Sequence, residues 1–568
     1  MMKTQAAGLF RACVVSTALA ATTLIAGCGS GGSGGSPAPA PAPAPSPATP
    51  SSADAARFLT QASFGPNDTS IAHVQQIGYS AWIDEQFTLP ATLHLTYVQP
   101  LVDPLLFGQN FNFVQDSFWQ QTLAGPDQLR QRVKFALSEI VVISADVAEL
   151  ARNADGTANY LDILGAHAFG NYRNLLEAVS TNPMMGVYLS HLRNQKADAT
   201  GRVPDENYAR EVMQLFSIGL LELNLDGTVK TNGSGQPRET YTNDDITELA
   251  RVFTGWSWAA PTTSNQAFNG QIGATYADRY LRPMQNYPQF YETGSKTFLA
   301  TVIPANTAAP DALRIALDTL FNHPNLCPYV GRQLIQRLVT SNPSPAYIQR
   351  VATACINDGA GVRGDIKAMV RAVLLDADAR DPAKLTDPQW GKLREPVLRL
   401  SSWARCFGAT STSGNWTIRN LDNSATSLGQ QPMRAGSVFN FFRPGYVPPG
   451  TAIASANLVA PEFQITHETA VAGYSNYMQS VVSLGTGTGN PRDVRPNYAP
   501  EIAVAANADA LIDRVNLCLM AGQMGTQQRT DIRDAVNSIS ATGTNGPLNR
   551  VYTAVFHTLA SPEYIVQK

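Results

Sequence analysis

The chain has 568 residues, of which 44% are hydrophobic and 15% charged, with a formal net charge of −3. That size and hydrophobicity suffice for a large buried core, in one domain or several. The weak, dispersed charge excludes the basic face that nucleic acid requires, and after the N-terminal segment no apolar run is long enough to span a bilayer.

Residues 1–27 read as a signal peptide. Lys3 and Arg11 are its basic residues, no acidic residue is present, and an apolar run extends from Ala12 to Ala26. Ile25-Ala26-Gly27-Cys28 has the pattern of a bacterial lipobox, which makes Cys28 the expected lipidation site. Each acyl methylene buried in the bilayer would add roughly 0.8 kcal/mol of anchoring. Gly29, rather than Asp, follows Cys28, which predicts sorting to the outer membrane, on its periplasmic or cell-surface face. Residues 28–52 form a tether, first Gly/Ser-rich and flexible, then a stiffer Pro/Ala repeat. Residues 53–568 carry the globular domain.

From Ser52 on, the periodicity is mostly helical. Ala55, Phe58, Leu59 and Ala62 form one stripe; Ile71, Val74, Ile77 and Trp82 form the next, behind a cap at Asp68 or Thr69. Leu129, Val133, Ala136, Leu137 and Ile140 share a third face. Short helices broken at Gly170 and Pro183 follow, then an amphipathic helix within 202–222 and another capped at Thr242 or Asn243. Four helices are expected between 325 and 408, and the last ones near 510–520 and 549–567. Strand signals are few: only 287–305 alternates, around Thr293-Gly294, as a small hairpin. Residues 223–243, 259–280, 408–432 and 483–500 read as long loops. The expected fold is mainly α: a large multi-helix globular domain with long loops and one small β-hairpin element.

Cys13 leaves with the signal peptide. Cys327, Cys355, Cys406 and Cys518 remain, an even number suited to an oxidising compartment. Cys327 opens one helical segment and Cys355 closes the next, so the two can bond across a helical hairpin, which leaves Cys406 for Cys518.

The signatures of zinc proteases, nucleophile-elbow hydrolases and covalent haem are absent. "GTGTGN" at 485–490 lacks the strand–turn–helix context of a nucleotide site. Asn224 and Asp226 precede Gly227 in a turn with too few acidic oxygens for an EF-hand, although Asp226 is the one place where Ca2+ is a candidate. No cysteine or histidine spacing points to a metal site. "RGD" at 363–365 reads as a helix start, with Asp365 at the positive end of the dipole.

The densest group of charges lies in "PDENYAREVMQLFSIGLLEL". Asp205 is placed to cap the helix and Glu206 to sit in its first turn. Glu206 and Arg210 form an i, i+4 pair, as do Asn207 and Glu211. Tyr208, Val212, Leu215, Phe216 and Gly219 form the core stripe. Glu211 falls beside that stripe in mid-helix, where a carboxylate needs a partner or a raised pKa; Arg193, Arg251 and His191 are the candidate partners. Two carboxylates serve glycoside hydrolysis when they face one substrate. Glu206 and Glu211, five residues apart, point about 140° from each other, so a second carboxylate would come from Asp244, Asp245 or Glu248. Tyr241, Trp256 and Trp258 are candidate sugar-stacking residues. His167, His323 and His467 read as structural.

Taken in order, "RFLTQASFGP", "NPMMGVYLS", "PDENYAREVMQLFSIGLLELN", "YTNDDITELARVFTGW", "RQLIQRLVTSNPSPAYIQRV", "RGDIKAMVRAVLLD", "REPVLRL", "SVFNFFRPGYVPPG" and "SPEYIVQ" resemble the DUF1800 family of bacterial exported proteins, over nearly all of Arg57 to Gln567. The resemblance implies export and no defined activity. It also implies a partner, because the genes of such proteins often neighbour those of DUF1501 proteins, relatives of sulfatases. Many family members carry a His before a "TGEK"-like turn, whereas this chain has Tyr291 in "FYETGSKTFL". Two functions are therefore expected. One is a hydrolase or lyase acting on an extracellular polysaccharide through Glu211, Glu206, Arg210, His191 and Asp244, with Trp256 and Tyr241 binding substrate. The other is a non-catalytic envelope scaffold or accessory protein.

Overall fold

The computed structural model describes residues 49–102, 111–271 and 278–568. The signal peptide, Cys28 and all but the end of the tether lie outside the described residues, as does part of the predicted loop 259–280. Thr49–Lys568 forms one compact unit.

The fold is mainly α, as the periodicity predicts. Helix Ser52–Ala62 is capped by the Ser51 side chain, and its stripe of Ala55, Phe58, Leu59 and Ala62 is buried. Helix Asp68–Thr88 begins at a capping box of Asn67 and Ser70, one residue before the predicted cap, and Gly78 interrupts it at φ 81°. Two apolar clusters form the core. The larger joins the N-terminal helices to Leu326–Leu338, Pro345–Ile356 and Ile366–Leu375. The smaller gathers Pro396–Cys406, Glu468–Leu484, Ala508–Met520 and Gly546–Leu559 around Trp403, and takes in Phe64, Trp119 and Phe135 from the chain's first third. Each cluster is closed by one disulfide. Cys327 bonds to Cys355 across the helical hairpin and Cys406 to Cys518, with Cα separations of 5.5 and 5.8 Å, both pairings as expected.

The predicted hairpin exists but is shifted. Lys296–Phe298 pairs antiparallel with Thr301–Ile303, so the turn is Leu299-Ala300, not Thr293-Gly294. Both turn residues have positive φ, 46° and 61°. A two-residue hairpin turn requires that conformation, which costs non-glycine residues about 1–3 kcal/mol each. Asp245 holds the turn in place, because its Oδ1 accepts from the Leu299 N–H at 2.7 Å.

Three further short pairings fall where the sequence predicts loop or helix, Trp256–Ser257 and Val566–Gln567 among the latter. Trp256–Ser257 pairs with Gln285–Asn286, Lys392–Leu393 with Val566–Gln567, and Thr410–Ser411 with Val494–Arg495. The last pairing stitches the predicted loops 408–432 and 483–500 together. The buried Asp493 carboxylate is its knot, accepting from Ser411 and Thr417 hydroxyls and from Ser413 and Thr417 N–H groups. "GTGTGN" belongs to this knot, with Thr486 bridged to Val494 and Thr488 bonded to Thr417.

Residues 221–239, most of them in the predicted loop 223–243, form a small closed triangle. Leu221 bridges Glu239, Leu223 bridges Val229, and Thr231 bridges Pro237. Glu222 N donates to Arg238 O, Arg238 N to Lys230 O, and Lys230 N to Glu222 O, so the backbone bonds run round a ring. The side chains repeat the relation, with Glu222 at 2.8 Å from Arg238 and 3.7 Å from Lys230.

Candidate functional site

The helix that carries the predicted charges is Asn207–Gln214. It starts later than its sequence suggests. Asp205 accepts from the Asn207 N–H at 2.8 Å and so holds the approach to the helix, while Glu206 occupies the cap position without a side-chain cap bond. Asn194 clamps Asp205 through two bonds, of 2.8 and 3.0 Å, to its backbone. Glu206 is exposed. Its Oε2 lies 3.6 Å from Arg210, the predicted pair, and its Oε1 accepts from Thr247 at 2.7 Å, tying this helix to Asn243–Ala250. An exposed pair of this kind contributes little, so Glu206→Gln is expected to shift the unfolding free energy by less than about 1 kcal/mol, as measured by urea titration. The predicted Asn207–Glu211 bond is not formed, because Asn207 turns to Ser190 at 3.4 Å.

Glu211 is the exception among these charges. It is 6% exposed, and its Oε2 has no hydrogen-bond partner. Burial pushes its pKa up, and the Arg210 charge only partly opposes this. Its carboxylate charge acts on Tyr241 and, more weakly, on Tyr188 and Tyr329, helping burial to push their phenols up. Tyr329 donates to Gln214 O at 2.7 Å. The Tyr241 hydroxyl is buried with no partner, and its pKa is raised to about 12 by burial and by Glu211. The Glu211 Oε2 and the Tyr241 hydroxyl are thus two buried polar atoms with open hydrogen-bonding capacity, and the charge of the one acts on the other.

The other expected members do not join them. His191 is buried, stacked on Tyr208 at 3.9 Å and bonded through Nε2 to Ser180 O at 3.0 Å. Burial pushes its pKa down to about 4, so it is a neutral core residue. Arg251 is held by Glu248 at 2.7 Å and Glu292 at 3.8 Å. Arg193 is exposed, and Asp244 is exposed at its own helix start. Asp245 completes a capping box with Thr242, and Glu248 also accepts from Thr297 N. Trp256 is buried with its indole N–H on Val252 O, and Trp258 is buried beneath Arg279, so neither presents a face for a sugar. Of the proposed substrate-binding residues, Tyr241 alone feels the Glu211 charge.

Asp226 closes its own turn, accepting from the Thr228 N–H and hydroxyl. Among the described residues no group of three or more His, Cys, Asp and Glu could hold a metal ion. Asp365 caps Ile366–Leu375 by accepting from Ala368 N, as read from "RGD". At the departing turn, Tyr291 lies under the Lys296 ammonium, 4.8 Å from ring centroid to Nζ. Burial, aided by Arg251, pushes Lys296 down to about 8, and the ammonium is tied to the carbonyls of Glu292 and Gly294.

A second set of charges was not singled out in the sequence. Glu139, Glu395, Glu462, Arg132, Arg337 and Lys392 are each at most 4% exposed and meet inside the protein. Lys392 lies 3.0 Å from Glu462 and 3.9 Å from Glu395, and Arg337 lies 3.6 Å from Glu139. Lys392 and Arg132 both donate to Arg337 O, at 3.0 and 2.6 Å. Gln430 donates to Glu395 at 2.7 Å and Asn440 to Glu139 at 3.0 Å.

The sequence profile described as "Protein of unknown function (DUF1800)" matches residues 57–566. The chain belongs to the DUF1800 family. No curated protein and no solved structure matches it. The DUF1800 segments quoted above supply two of the six buried charges and one of their amide partners: "RQLIQRL" gives Arg337, "REPVLRL" gives Glu395, and "SVFNFFRPG" gives Asn440. A usable signal was present in those strings, namely charged residues embedded in apolar runs, where an ion is expensive unless paired.

Proposed function

We propose that this DUF1800 protein is exported, lipid-anchored through Cys28 to the outer membrane, and acts on an extracytoplasmic polysaccharide through Glu211 and Tyr241. The observation that carries this reading is the Glu211 carboxyl, buried, without a donor on Oε2, and acting by its charge on the unpartnered Tyr241 hydroxyl. A carboxyl whose neutral form is favoured by burial can protonate a leaving oxygen or hydrogen-bond a substrate carboxylate. Two-carboxylate hydrolysis needs a second acid on the same substrate, and Glu206 is committed to Arg210 and Thr247. The pair therefore suits a lyase acting on a uronate better than a hydrolase. In that reaction Glu211 would bind the uronate carboxylate and Tyr241 would move the proton. Two disulfides support placement of the domain outside the cytoplasm.

The test is a screen of the purified chain against uronate-containing and neutral polysaccharides, reading unsaturated products and new reducing ends. Glu211→Gln and Tyr241→Phe are each expected to lower kcat by about 10²–10⁴-fold with unchanged far-UV circular dichroism. Glu206→Gln should retain activity. No turnover of any polymer, or full activity in Glu211→Gln, would refute the reading.

One observation favours a second reading. Asp245, Glu248 and Trp256 each have a local structural role, as expected of an accessory protein. Its partner would then be the DUF1501 sulfatase-like protein, and co-purification of the two would test it.

A further inference from the structure

Helix Leu326–Leu338 turns Cys327, Leu334, Ile335 and Leu338 into the larger core cluster. Tyr329, Arg332, Gln333 and Gln336 stand at i, i+3, i+4 and i+7, so they share the opposite face. Polar groups on a helix this buried need partners, and the two ends of the face have them. The Tyr329 hydroxyl donates to Gln214 O at 2.7 Å, on the helix of Glu211. Gln336 Nε2 donates to Ser341 O at 3.0 Å and to Pro444 O at 3.2 Å.

The middle of the face has none. Among the described residues, the half-buried Arg332 guanidinium makes no hydrogen bond, ion pair or ring contact. Its nitrogens are not sealed from solvent, so a ligand can reach them. Gln333 follows it, 6% exposed, with Nε2 unpartnered. Burial pushes the Arg332 pKa down, and no carboxylate of the fold opposes this. A cation held partly out of water without an anion destabilises the fold that carries it. An arginine kept at such a position fits an anion supplied from outside.

We propose that Arg332, with Gln333 beside it, is a subsite for a carboxylate of an acidic polysaccharide, carried on a sugar unit other than the one at Glu211 and Tyr241. The substrate class rests on the reading of Glu211 given above; the vacancy at Arg332 does not.

The chemistry of the two side chains selects the ligand. A guanidinium offers parallel N–H donors in a planar fork that matches the two oxygens of a carboxylate. The Gln333 amide adds a neutral donor and no competing charge. Arg332 lies about 4.5 Å along the helix axis from Tyr329, whose hydroxyl is bonded to the helix of Glu211. A chain of uronates laid along this face would meet both positions in turn.

Calorimetric titration of the purified chain with short oligouronates, and with sulfated and neutral oligosaccharides of equal length, tests this. Arg332→Gln is expected to weaken oligouronate binding by about 10–100-fold, the range for losing a charge-assisted hydrogen bond. Arg332→Lys should fall between the two, since it keeps the charge and loses the fork. Rising salt should weaken binding to the parent more steeply than to Arg332→Gln. In urea, Arg332→Gln should be as stable as the parent or more so, because the guanidinium has no partner within the fold to lose. Unchanged oligouronate affinity in Arg332→Gln, equal affinity of the parent for neutral oligosaccharides, or a marked loss of stability in Arg332→Gln overturns the proposal. Tighter binding of the sulfated oligosaccharide overturns the assignment to a carboxylate. The catalytic reading fails separately. Binding that depends on Arg332, without turnover by the parent, refutes catalysis and leaves the subsite standing. Turnover that stops in Glu211→Gln, with unchanged affinity in Arg332→Gln, refutes the subsite alone.

Discussion

Lys392→Met is expected to destabilise the protein by about 3–5 kcal/mol, the cost of breaking a buried ion pair from one side. Lys392 is 3% exposed and is the closest cation to Glu462, at 3.0 Å. Removing its charge leaves Glu462, 1% exposed, with an Oε2 that already lacks a donor. Arg132, Arg337 and Arg399 remain nearby, but the first two are already shared with Glu139 and Glu395. Guanidinium titration of the parent, Lys392→Met, Glu462→Gln and the double variant measures the effect. The double variant should recover much of the loss, because an uncharged pair of similar volume no longer leaves a stranded ion. A double variant as unstable as the sum of the singles would show that packing, not charge, sets the cost.

Loss of the Cys406–Cys518 bond should cost about 5 kcal/mol at most, against about 4 kcal/mol for Cys327–Cys355, by the loop-entropy relation. The difference follows from sequence separations of 112 and 28 residues, since the longer loop constrains the unfolded chain more. Cys406 ends helix Pro396–Cys406 and Cys518 lies in Ala508–Met520, so this bond ties two helices of the smaller core cluster. Paired Cys→Ser variants, compared by calorimetry with and without reductant, give the ranking. Reductant should destabilise the parent by more than it destabilises either paired variant.

Local features were legible in the sequence and long-range ones were not. The stripe of Phe58 and Leu59, the helix start at Asp365 and the pairing of Cys327 with Cys355 each have a local or periodic signature. The isolation of Glu211 was legible too, because its position beside Tyr208 and Val212 already placed it at the edge of the core. What faces it was not, since Tyr241 and Tyr329 arrive from other elements. The buried charges show the same limit, as Asn440 meets Glu139 across 301 residues, a relation that no spacing rule contains. The hairpin turn was misplaced for a different reason. Leu299 and Ala300 are poor turn formers, and the contact that holds them comes from Asp245. The triangle at 221–239 was missed because its corners, Glu222, Lys230 and Arg238, fall eight residues apart rather than in alternation. His191 was credited with a role at the site, but its stacking on Tyr208 decided otherwise.

The pairing of Lys392–Leu393 with Val566–Gln567 bears on how such a chain reaches its folded state. Helix Ser52–Ala62 likewise packs on Ala508–Met520, so early and late stretches of the chain complete each other. At a synthesis rate of about 5–20 residues per second, the strand opposite Lys392 emerges roughly ten seconds or more after it. Through that interval Lys392 and the acids around it lack their final enclosure, and no stretch in between can complete the core alone. Contacts this far apart in sequence slow folding. Closure of this pairing therefore waits on the last residues of the chain, whereas the larger core cluster draws nearly all its members from residues before Lys392.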